Sequence, residues 1–571
     1  MQTDSFLLNT YLGVLEPGIL RGFQPLRVDD NSLEIIENYK QLTADFPASL
    51  LEDKGTIPPE ALERLKQIGF FGLSIPTEYG GMGLDLLTYL KVAEIITSEN
   101  MSLGFTALAH LSIGTKGIVL FGTEDQKRKY LTPAAAGDMI FSYALTEPKT
   151  GSDAKHIQTR ATLSEDGRHY ILNGLKTYIT NANYAGGLTV FAQLDPDRPG
   201  FMAAFIVETA WDGVKIGKDM PKMGLHASST ASVRFKDVRV PRENLLGQPG
   251  DGFKIAMTIL NHGRLALGAG SAGIMEKSLN DMTKRASTRV QFGSRIDAFE
   301  LIQEKLVKAR VNAYITSAVT AFTAGLLTTD QTAAAAIESS HCKLFGTTRA
   351  WDTLYEAMQV AGGAGYLSTQ PYEKRMRDFR VTTIFEGTTE IHSIYPALYA
   401  MRQLGKQLQS TAGGKLSKLR FFVGGLLRRN AWPLRFDQAE MDRALRFAKS
   451  NARRIRFLLF VGLLMYGKKV FEREFFLRRI TNLSLYMFGI LAALARIDAE
   501  RRAGRPVRAD LNILTYFVEE ARRIRRQDRG LRPNRLEQAH AAVARDIISG
   551  GSTTQAIRRA GNAPVSARRP A

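Results

Sequence analysis

The sequence predicts an α+β protein that is mostly α-helical, and three observations along its 571 residues support this fold class. Apolar residues recur every three or four positions over residues 33–142 and again over 252–404, as in amphipathic helices. Short β-branched and aromatic runs, separated by Gly, Pro, Asn and Asp, fill residues 143–251. Positive charge accumulates after residue 404. We therefore predict an N-terminal helical domain, a middle β domain, a C-terminal helical bundle and an extra helical C-terminal domain.

The predicted domain boundaries follow these changes in pattern. A 571-residue chain is long enough for several domains with large apolar cores. We expect an N-terminal extension over 1–32, the helical domain over 33–142, the β domain over 143–251, the bundle over 252–404, the extra basic domain over 405–548 and a tail over 549–571. The tail is small, polar and basic, a composition typical of disorder.

Individual elements can be placed within the first helical domain. Residues 59–68 show the helical spacing, with Pro59 at the first turn. Asp85 is positioned to cap a helix that begins at Leu86. The pattern over 117–130 predicts a further single helix.

The middle domain is predicted to be a small antiparallel sheet. Its strands are expected near residues 169–174, 188–194, 201–207 and 231–240. Long helical patterns return after Gly252, for example over 298–327. The order of helical, β and helical segments within 400 residues is unusual, so it limits the number of folds that fit the sequence.

Cysteine usage and the amino terminus bear on location. The one cysteine, Cys342, excludes a disulfide framework and a cysteine-rich metal site, and no metal is expected. Residues 1–21 lack a basic start followed by an apolar core, so they do not resemble a secretory signal. We expect a cytoplasmic protein, peripherally associated with the inner face of the membrane through its basic region.

The basic region indicates a polyanionic partner. Residues 401–571 hold 36 Lys and Arg against 13 Asp and Glu, whereas the rest of the chain is nearly neutral. Residues 415–429 mix cations with large apolar side chains and are followed by Trp432, as in a helix at an anionic membrane surface or a basic helix packed on its own domain. The apolar residues among the cations favour lipid over nucleic acid. The apolar runs 457–466 and 480–495 are too short to span a bilayer, and we expect 480–495 to form a buried helix of the bundle.

Three stretches carry candidate chemistry. In Ile384–Glu390 the carboxylate of Glu386 stands between an aromatic residue and a glycine, where it could act as a base. In Tyr143–Ala154, a turn at Pro148 and Gly151 exposes backbone N–H groups of the loop and the hydroxyls of Thr146 and Ser152, as in a ligand-binding loop or an ordinary turn. Gln359–Tyr366 contains three glycines, which permit close approach of a ligand or a flexible connection, but it is no Rossmann fingerprint.

Together these stretches resemble the signatures of the acyl-CoA dehydrogenase family. Further matches appear in the family's order at Lys176–Asn181, Lys222–Gly224 and Arg289–Gly293. The resemblance covers approximately residues 35–405. It implies the acyl-CoA dehydrogenase-like fold and FAD as cofactor.

The resemblance also implies roles for individual residues. Glu386 matches the base that removes the α proton of the thioester while the flavin accepts the β hydride. The implied cofactor-binding residues are Tyr143, Leu145, Thr146, Ser152, Tyr178, Thr180, Arg289, Gln303, Gln359, Gly362, Gly363, Thr388 and Glu390. The implied substrate-binding residues are Ser152, Asn261, Arg264, Phe385 and Gly387. Arg289 matches an arginine that reaches the flavin of a neighbouring subunit, so a homo-oligomer, most simply a dimer, is expected.

The C-terminal extension indicates which subgroup of the family the chain resembles. A helical domain after residue 405 is similar to that of the very-long-chain members, which associate with membranes. This implies dehydrogenation of long or very-long-chain acyl-CoA to trans-2-enoyl-CoA in fatty acid β-oxidation, with an electron-transfer flavoprotein as acceptor. Gly104 is a candidate for leaving a deep acyl pocket open.

Other functions remain open on sequence alone. A nucleic-acid-binding member of the fold, like the alkylation-response branch, would also use a basic C-terminal region. A non-catalytic assembly scaffold could keep the fold, although Glu386 and the flavin motifs argue against it. An acyl-CoA oxidase shares the chemistry but passes electrons to oxygen.

Overall fold

The structure, a computed structural model, describes residues 5–328, 330–410 and 414–549. Its elements follow the predicted order of helices, sheet, helices and further helices, and most of the described chain is helical. The predicted disordered tail lies outside the described residues except for Ser549. The exact domain boundaries stay predictions.

The first part of the chain is helical up to the sheet. Asp85 caps α6 as predicted, because its carboxylate accepts hydrogen bonds from the backbone N–H groups of Leu87 and Thr88. A short π-helix, Ala109–Gly114, follows α7. The helices are α1 Phe6–Tyr11, α2 Pro17–Arg21, α3 Asp30–Asp45, α4 Ala48–Lys54, α5 Pro59–Gln67, α6 Leu86–Glu99, α7 Met101–Leu108, α8 Lys116–Phe121 and α9 Glu124–Ala136.

The single helix predicted over 117–130 is wrong. The backbone of Gly122 is extended, so α8 ends before it. Thr123 then starts α9 with a capping box, in which its side chain and that of Gln126 each bond the other's backbone N–H. Residues 122–129 contain no apolar side chain, so the spacing of apolar residues gave no information about this break.

The middle domain contains an eight-stranded sheet. Seven strands run in the order β6-β7-β3-β2-β4-β5-β8, and β1 pairs with β4. The strands are β1 Ile140–Ala144, β2 Arg160–Leu163, β3 His169–Thr180, β4 Ala185–Gln193, β5 Met202–Glu208, β6 Val214–Ile216, β7 Thr230–Pro241 and β8 Leu245–Leu246. The prediction of an antiparallel sheet is wrong in part, because β1 and β2 both pair with β4 in parallel. The long connection from β1 to β4 allows this direction.

The third part is a bundle of long helices whose faces form a continuous core. It comprises α10 Gly252–Thr288, α11 Glu300–Leu326, α12 Ala336–Ala361, α13 Pro371–Phe379 and α14 Thr389–Ser410. A hairpin of β9 Val290–Gln291 and β10 Ser294–Arg295 separates α10 from α11. Residues 362–366 form a 3-10 turn after α12.

The extra C-terminal helices pack onto this bundle. They are α15 Lys415–Leu427, α16 Ala439–Tyr466, α17 Glu474–Arg502, α18 Arg508–Asp528 and α19 Arg535–Ile548. Among the residues that the structure describes, two helical stretches are long and apolar enough to cross a membrane, Met101–Phe121 and Glu474–Arg502, but most of each is buried inside the protein. The expectation of a buried helix over 480–495 is confirmed.

The N-terminal extension joins the two helical regions. The ring of Phe6 lies 5.0 Å from that of Phe322 in α11. Tyr11 bonds Ser484 of α17, whose hydroxyl also lies 2.6 Å from Nε2 of His341 in α12. A buried polar chain therefore connects the extension, the bundle and the C-terminal helices.

Candidate active site

Glu386 lies in the short loop between a 3-10 turn, Arg380–Thr383, and α14. Its backbone is left-handed, with φ of 53°, and Gly387 follows with φ of 96°. A positive φ is uncommon for a residue with a side chain and is found often at functional sites. The loop thus directs the Glu386 carboxylate toward α10 instead of continuing a helix.

Glycine in α10 makes room for this carboxylate. A side-chain Cβ at Gly263 would lie 2.5 Å from Glu386 Oε2 and 2.8 Å from Oε1. It would also lie 2.8 Å from Cγ2 of Ile113 in the π-helix. The carboxylate is therefore packed between α10 and the π-helix.

The Glu386 carboxylate is shielded and incompletely bonded. Its Oε2 is buried and has no hydrogen-bond partner among the described residues. Burial raises the pKa of Glu386 to about 7, although the positive charges of Arg264 and then Lys343 oppose the rise. Such a carboxylate can exchange a proton near neutral pH, which is the property a general base needs.

Two buried cations flank the carboxylate. Arg264 of α10 lies 5.8 Å over the ring of Tyr395, and burial lowers the pKa of its guanidinium. Lys343 of α12 is fully buried, its Nζ donates to the carbonyl oxygen of Gly387 at 2.6 Å, and burial lowers its pKa to about 7. Both cations favour the ionised form of Glu386.

Aromatic residues enclose the same pocket. The ring of Phe385 lies 5.9 Å from Phe105 in an edge-on arrangement. Tyr143 donates its hydroxyl hydrogen to the carbonyl of Ala256 at 3.2 Å, and burial together with the charge of Glu386 raises its pKa. Tyr143, Arg264, Phe385 and Gly387, predicted on separate motifs, therefore surround Glu386.

The loop after β1 is held rigidly beside β3. Lys176 donates to the Leu145 carbonyl at 3.0 Å and to Glu147 at 2.8 Å, and this ion pair is fully buried. The N–H of Thr177 donates to the Thr146 carbonyl at 2.9 Å. The predicted residues Leu145 and Thr146 are thus fixed next to Tyr178 and Thr180.

Tyr178 exposes its aromatic ring beside this loop. Its φ of 58° and a register shift between Lys176 and Ile179 interrupt the strand, so simple alternation does not place Tyr178 and Thr180 on one face. Tyr178 is 67% exposed, and Thr180 is half-buried. A rigid polar loop beside an exposed aromatic ring fits the edge and the face of a flavin. Ser152 is exposed in the following turn.

A second group of predicted residues lies at one end of a satellite core. This core contains Met282, Ala309, Ala357 and Val360. The exposed residues at this end are Arg289 after α10, Gln303 in α11, and Gln359, Gly362 and Gly363 at the end of α12. Side chains could be added at both glycines without a clash. The glycines therefore leave an open surface, and the proposed roles of these residues stay predictions.

The remaining predicted residues are Thr388 and Glu390 at the start of α14 and Asn261 in α10. Thr388 accepts a hydrogen bond from Ile391 N–H at 3.3 Å, and Glu390 is exposed. Asn261 is buried, and its Oδ1 accepts bonds from Ser339 at 2.9 Å and Arg264 at 3.3 Å. Asn261 therefore orients Arg264, and its direct contact with substrate stays a prediction.

Gly104 lies at a close contact between two helices. A Cβ there would lie 3.0 Å from the Cα of Thr97 in α6. Gly104 therefore allows α7 to pack closely on α6, and its role in leaving an acyl pocket open stays a prediction. His262, given no role from sequence, lies 2.9 Å from the Gln331 carbonyl through Nε2, and burial lowers its pKa to about 3.

Sequence reasoning missed three residues that shape the site: Gly263, Lys343 and His392. Gly263 directly precedes Arg264, a predicted substrate-binding residue, and this adjacency was the available signal. Lys343 lies in a helical stretch that also contains Glu338 and His341, so nothing in the sequence distinguishes it from a solvated lysine. His392 accompanies Glu386 at a separation of six residues, and only the fold shows that its ring turns back toward the loop.

The fold and its relatives define the class of protein, a flavin-dependent oxidoreductase, and the buried carboxylate of Glu386 is its candidate base. Family models described as acyl-CoA dehydrogenase N-terminal, middle and C-terminal domains match residues 39–138, 142–238 and 250–395. The chain belongs to the acyl-CoA dehydrogenase family. FAD is its cofactor.

Individual relatives extend the comparison. The chain is 36% identical to the very long-chain specific acyl-CoA dehydrogenase of Homo sapiens over 484 residues, which cover 81% of this chain and 73% of that protein. Acyl-CoA dehydrogenase from Bacillus anthracis, solved in complex with FAD, is 28% identical, covers 94% of both chains and has a TM-score of 0.79. Butyryl-CoA dehydrogenase from Megasphaera elsdenii is 32% identical over 66% of this chain and all of that one, with a TM-score of 0.62.

Proposed function

We propose that the protein oxidises long-chain or very-long-chain acyl-CoA thioesters to trans-2-enoyl-CoA in fatty acid β-oxidation, with Glu386 removing the α proton. The observation that carries this proposal is the shielded Glu386 carboxylate, whose Oε2 has no partner in the described part of the chain and whose pKa is about 7. A desolvated carboxylate is a stronger base than one in water. FAD, when bound, supplies the acceptor for the β hydride.

The chain itself supplies activation and orientation. The peptide N–H of Glu386 makes no hydrogen bond to any residue that the structure describes, so it is available to the thioester oxygen. A donor fixed where negative charge develops stabilises the transition state. Arg264 and Lys343 keep a fraction of Glu386 ionised near neutral pH, and the surrounding aromatic residues exclude water.

Substrate length and electron acceptor are supported by the relatives. The human relative is named for very long-chain acyl-CoA, and the chain matches it over most of its own length. We propose an electron-transfer flavoprotein as the acceptor. Rapid reoxidation of the reduced enzyme by oxygen would instead indicate an acyl-CoA oxidase.

The test is an anaerobic titration of the purified holoenzyme with acyl-CoAs of increasing chain length, following the loss of flavin absorbance. We expect reduction to be fastest with long chains. Glu386→Gln should retain FAD and bind acyl-CoA, but acyl-CoA should reduce its flavin about 100- to 10,000-fold more slowly, the usual range for loss of a general base. Glu60→Gln, an exposed glutamate of α5, is the matched control. The proposal would be contradicted if no acyl-CoA reduced the flavin of the wild-type enzyme, or if Glu386→Gln kept full activity.

We further propose that α15 docks the enzyme, from the cytoplasm, on the inner face of an anionic membrane. Its exposed apolar face contains Leu416, Leu419, Val423 and Leu427, which are 63%, 57%, 43% and 76% exposed. Phe421 and Phe422 instead pack 5.8 and 5.9 Å from Phe460 of α16. The helix is therefore anchored on one side and offers leucines to the other.

Charge on the same surface favours anionic lipid. Lys418, Arg420 and Arg429 are exposed beside the apolar face. Cations next to exposed leucines suit the headgroup layer, where both interactions contribute to binding. A nucleic acid would use the cations but leave the leucines in water.

Vesicle flotation tests the docking. Replacing the four apolar residues of α15 by Ser should abolish binding to vesicles that contain phosphatidylglycerol. The matched control replaces Leu536, Val543 and Ile547, exposed apolar residues of α19, by Ser. Equal flotation of the α15 variant and wild type would exclude α15 as the membrane contact.

We also propose that a second copy of the chain covers the β9–β10 hairpin and completes the flavin site. The hairpin exposes Phe292 at 95%, with Val290 and Leu301 also exposed beside Arg289. Apolar residues grouped in this way are typical of a protein interface. Phe292→Ser with Leu301→Ser should shift the dimer toward monomer in light scattering and reduce bound FAD. An unchanged mass with full FAD would contradict the proposal.

A further inference from the structure

The loop that carries Glu386 adopts a conformation that needs external support. Glu386 and Gly387 have consecutive left-handed φ values of 53° and 96°. For a residue with a Cβ this region is unfavourable by about 1 kcal/mol, and it persists where surrounding contacts impose it. The contacts that impose it here come from α12 and α14.

Both carbonyl groups of this turn are bound by buried side chains. Nε2 of His392 lies 3.0 Å from the Glu386 carbonyl oxygen. Nζ of Lys343 donates to the Gly387 carbonyl oxygen at 2.6 Å. His392 and Lys343 are both fully buried, so water does not compete for these bonds.

The protonation state of His392 follows from its burial and from the charges around it. Burial, together with the charges of Arg264 and Lys343, holds the pKa of His392 well below its usual value, so the ring is neutral and has one N–H. A carbonyl only accepts, so that N–H is on Nε2. Nδ1 then accepts from the Ser340 hydroxyl at 2.7 Å. Ser340 thereby fixes both the tautomer and the orientation of the ring.

The fit between ring and loop is close. A Cβ at Gly387 would lie 2.6 Å from Nε2 of His392. Ser340 and Lys343 lie three residues apart on α12 and so face the same side of that helix. One face of α12 therefore holds two successive peptide groups of the Glu386 loop. Lys343 binds the Gly387 carbonyl directly, and Ser340 acts on the Glu386 carbonyl through His392.

We infer that Ser340, Lys343 and His392 form a clamp of positioning residues that holds the Glu386–Gly387 turn so that the carboxylate and its peptide N–H both face the substrate. This inference rests on the proposed role of Glu386 as the base. His392 acts through geometry alone, because it is neutral. Lys343 acts through geometry and also through its charge.

Other charged groups around Glu386 must be included when pH effects are interpreted. Arg264 of α10 and Lys343 of α12 contribute positive charge. Tyr89 of α6 and Tyr143 of β1 sense the Glu386 charge, and Glu390 of α14 interacts with Lys343. Of these groups only Lys343 belongs to the clamp, so among the clamp variants only that of Lys343 should move the pH profile.

The test compares clamp variants of the holoenzyme in anaerobic stopped-flow, measuring the rate of flavin reduction by saturating acyl-CoA across pH 6–9. His392→Leu should lower the pH-independent rate about 10- to 100-fold, as expected for a small displacement of a reacting group, and leave the midpoint and substrate Kd unchanged. His392→Gln, which restores an N–H donor, should recover most of the rate. Lys343→Met should lower the rate and also move the midpoint to higher pH, because the Glu386 carboxylate loses a cation.

A matched control separates positioning from general loss of stability. Ser271→Ala removes a buried hydroxyl of α10 that bonds only its own helix, at the Leu267 carbonyl. Ser340→Ala should slow reduction about 3- to 10-fold, whereas Ser271→Ala should not. If His392→Leu fails to bind FAD, the comparison of Ser340→Ala with Ser271→Ala decides. Wild-type rates in both His392→Leu and Ser340→Ala would overturn the clamp.

Failure of the proposed function would have a different signature. Wild-type enzyme would then show no flavin reduction with any acyl-CoA, whatever the clamp does. In that case the crystal structure of His392→Leu is decisive for the clamp: the inference expects Glu386 to leave the left-handed region, and an unchanged turn would overturn it.

Discussion

The Glu386 pocket and the surface of α15 both combine cations with apolar groups, but they do so under opposite conditions. In the pocket Arg264 and Lys343 are buried, and their pKa values are lowered by burial. On α15 the cations and the leucines are exposed together. The same residue types therefore tune the basicity of a carboxylate at one place and provide a docking surface at the other, and burial makes the difference.

The largest expected effect is in the pocket. In Gly263→Ala the new Cβ would come within 2.5 Å of the Glu386 carboxylate. Because the end of a side chain moves more easily than a helix, we expect the carboxylate to shift and the fold to survive. Flavin reduction should slow about 100-fold. Gly325→Ala in α11, which meets no atom within 4 Å, is the control and should keep full activity.

Stability should also depend on the pocket carboxylate. The folded-state pKa of Glu386 is raised from 4.5 to about 7, so its contribution to stability is fully present below pH 4.5 and is lost as pH rises through 7. Glu386→Gln removes this loss, and it should stabilise the enzyme by up to about 3 kcal/mol at pH 8.5. Thermal unfolding at pH 5 and pH 8.5 measures the difference. A variant no more stable than wild type at pH 8.5 would show that the carboxylate is solvated.

Removal of the Arg264 guanidinium should change the pH dependence of activity. Arg264→Met takes away the largest influence that lowers the pKa of Glu386. The ionised base is needed for reaction, so the rise in flavin reduction with pH should move to higher pH, and activity should fall more at pH 6.5 than at pH 8.5. Arg443→Met, an exposed arginine of α16, should leave the profile in place.

The smallest effect is expected on α15. Leu419→Ser changes an exposed side chain, so the free energy of unfolding should change by less than about 0.5 kcal/mol. Vesicle binding should nevertheless weaken measurably. A large loss of stability in this variant would mean that Leu419 is covered by protein, and the contrast with the buried pocket would disappear.

Much of the site could be predicted because its residues lie in short continuous motifs. Leu145 and Thr146 directly follow β1, Tyr178 lies near the end of β3, and the Thr177 N–H donates to the Thr146 carbonyl. The clamp could not be predicted in this way. Ser340 and His392 are 52 residues apart, and only the packing of α14 against α12 brings them to 2.7 Å. The break before Thr123 and the parallel strands beside β4 were also missed, since apolar spacing does not report backbone direction or a local cap.

The sequence by itself determined the order of helical and β segments, the family, the cofactor and the position of the candidate base, because these depend on local periodicity and on contiguous motifs. The tertiary structure alone decided that Glu386 is desolvated beside Gly263, that two buried cations limit its pKa, and that its turn is bound from α12. Basicity depends on burial and on charges brought close in space, and neither quantity is encoded at any single position of the chain.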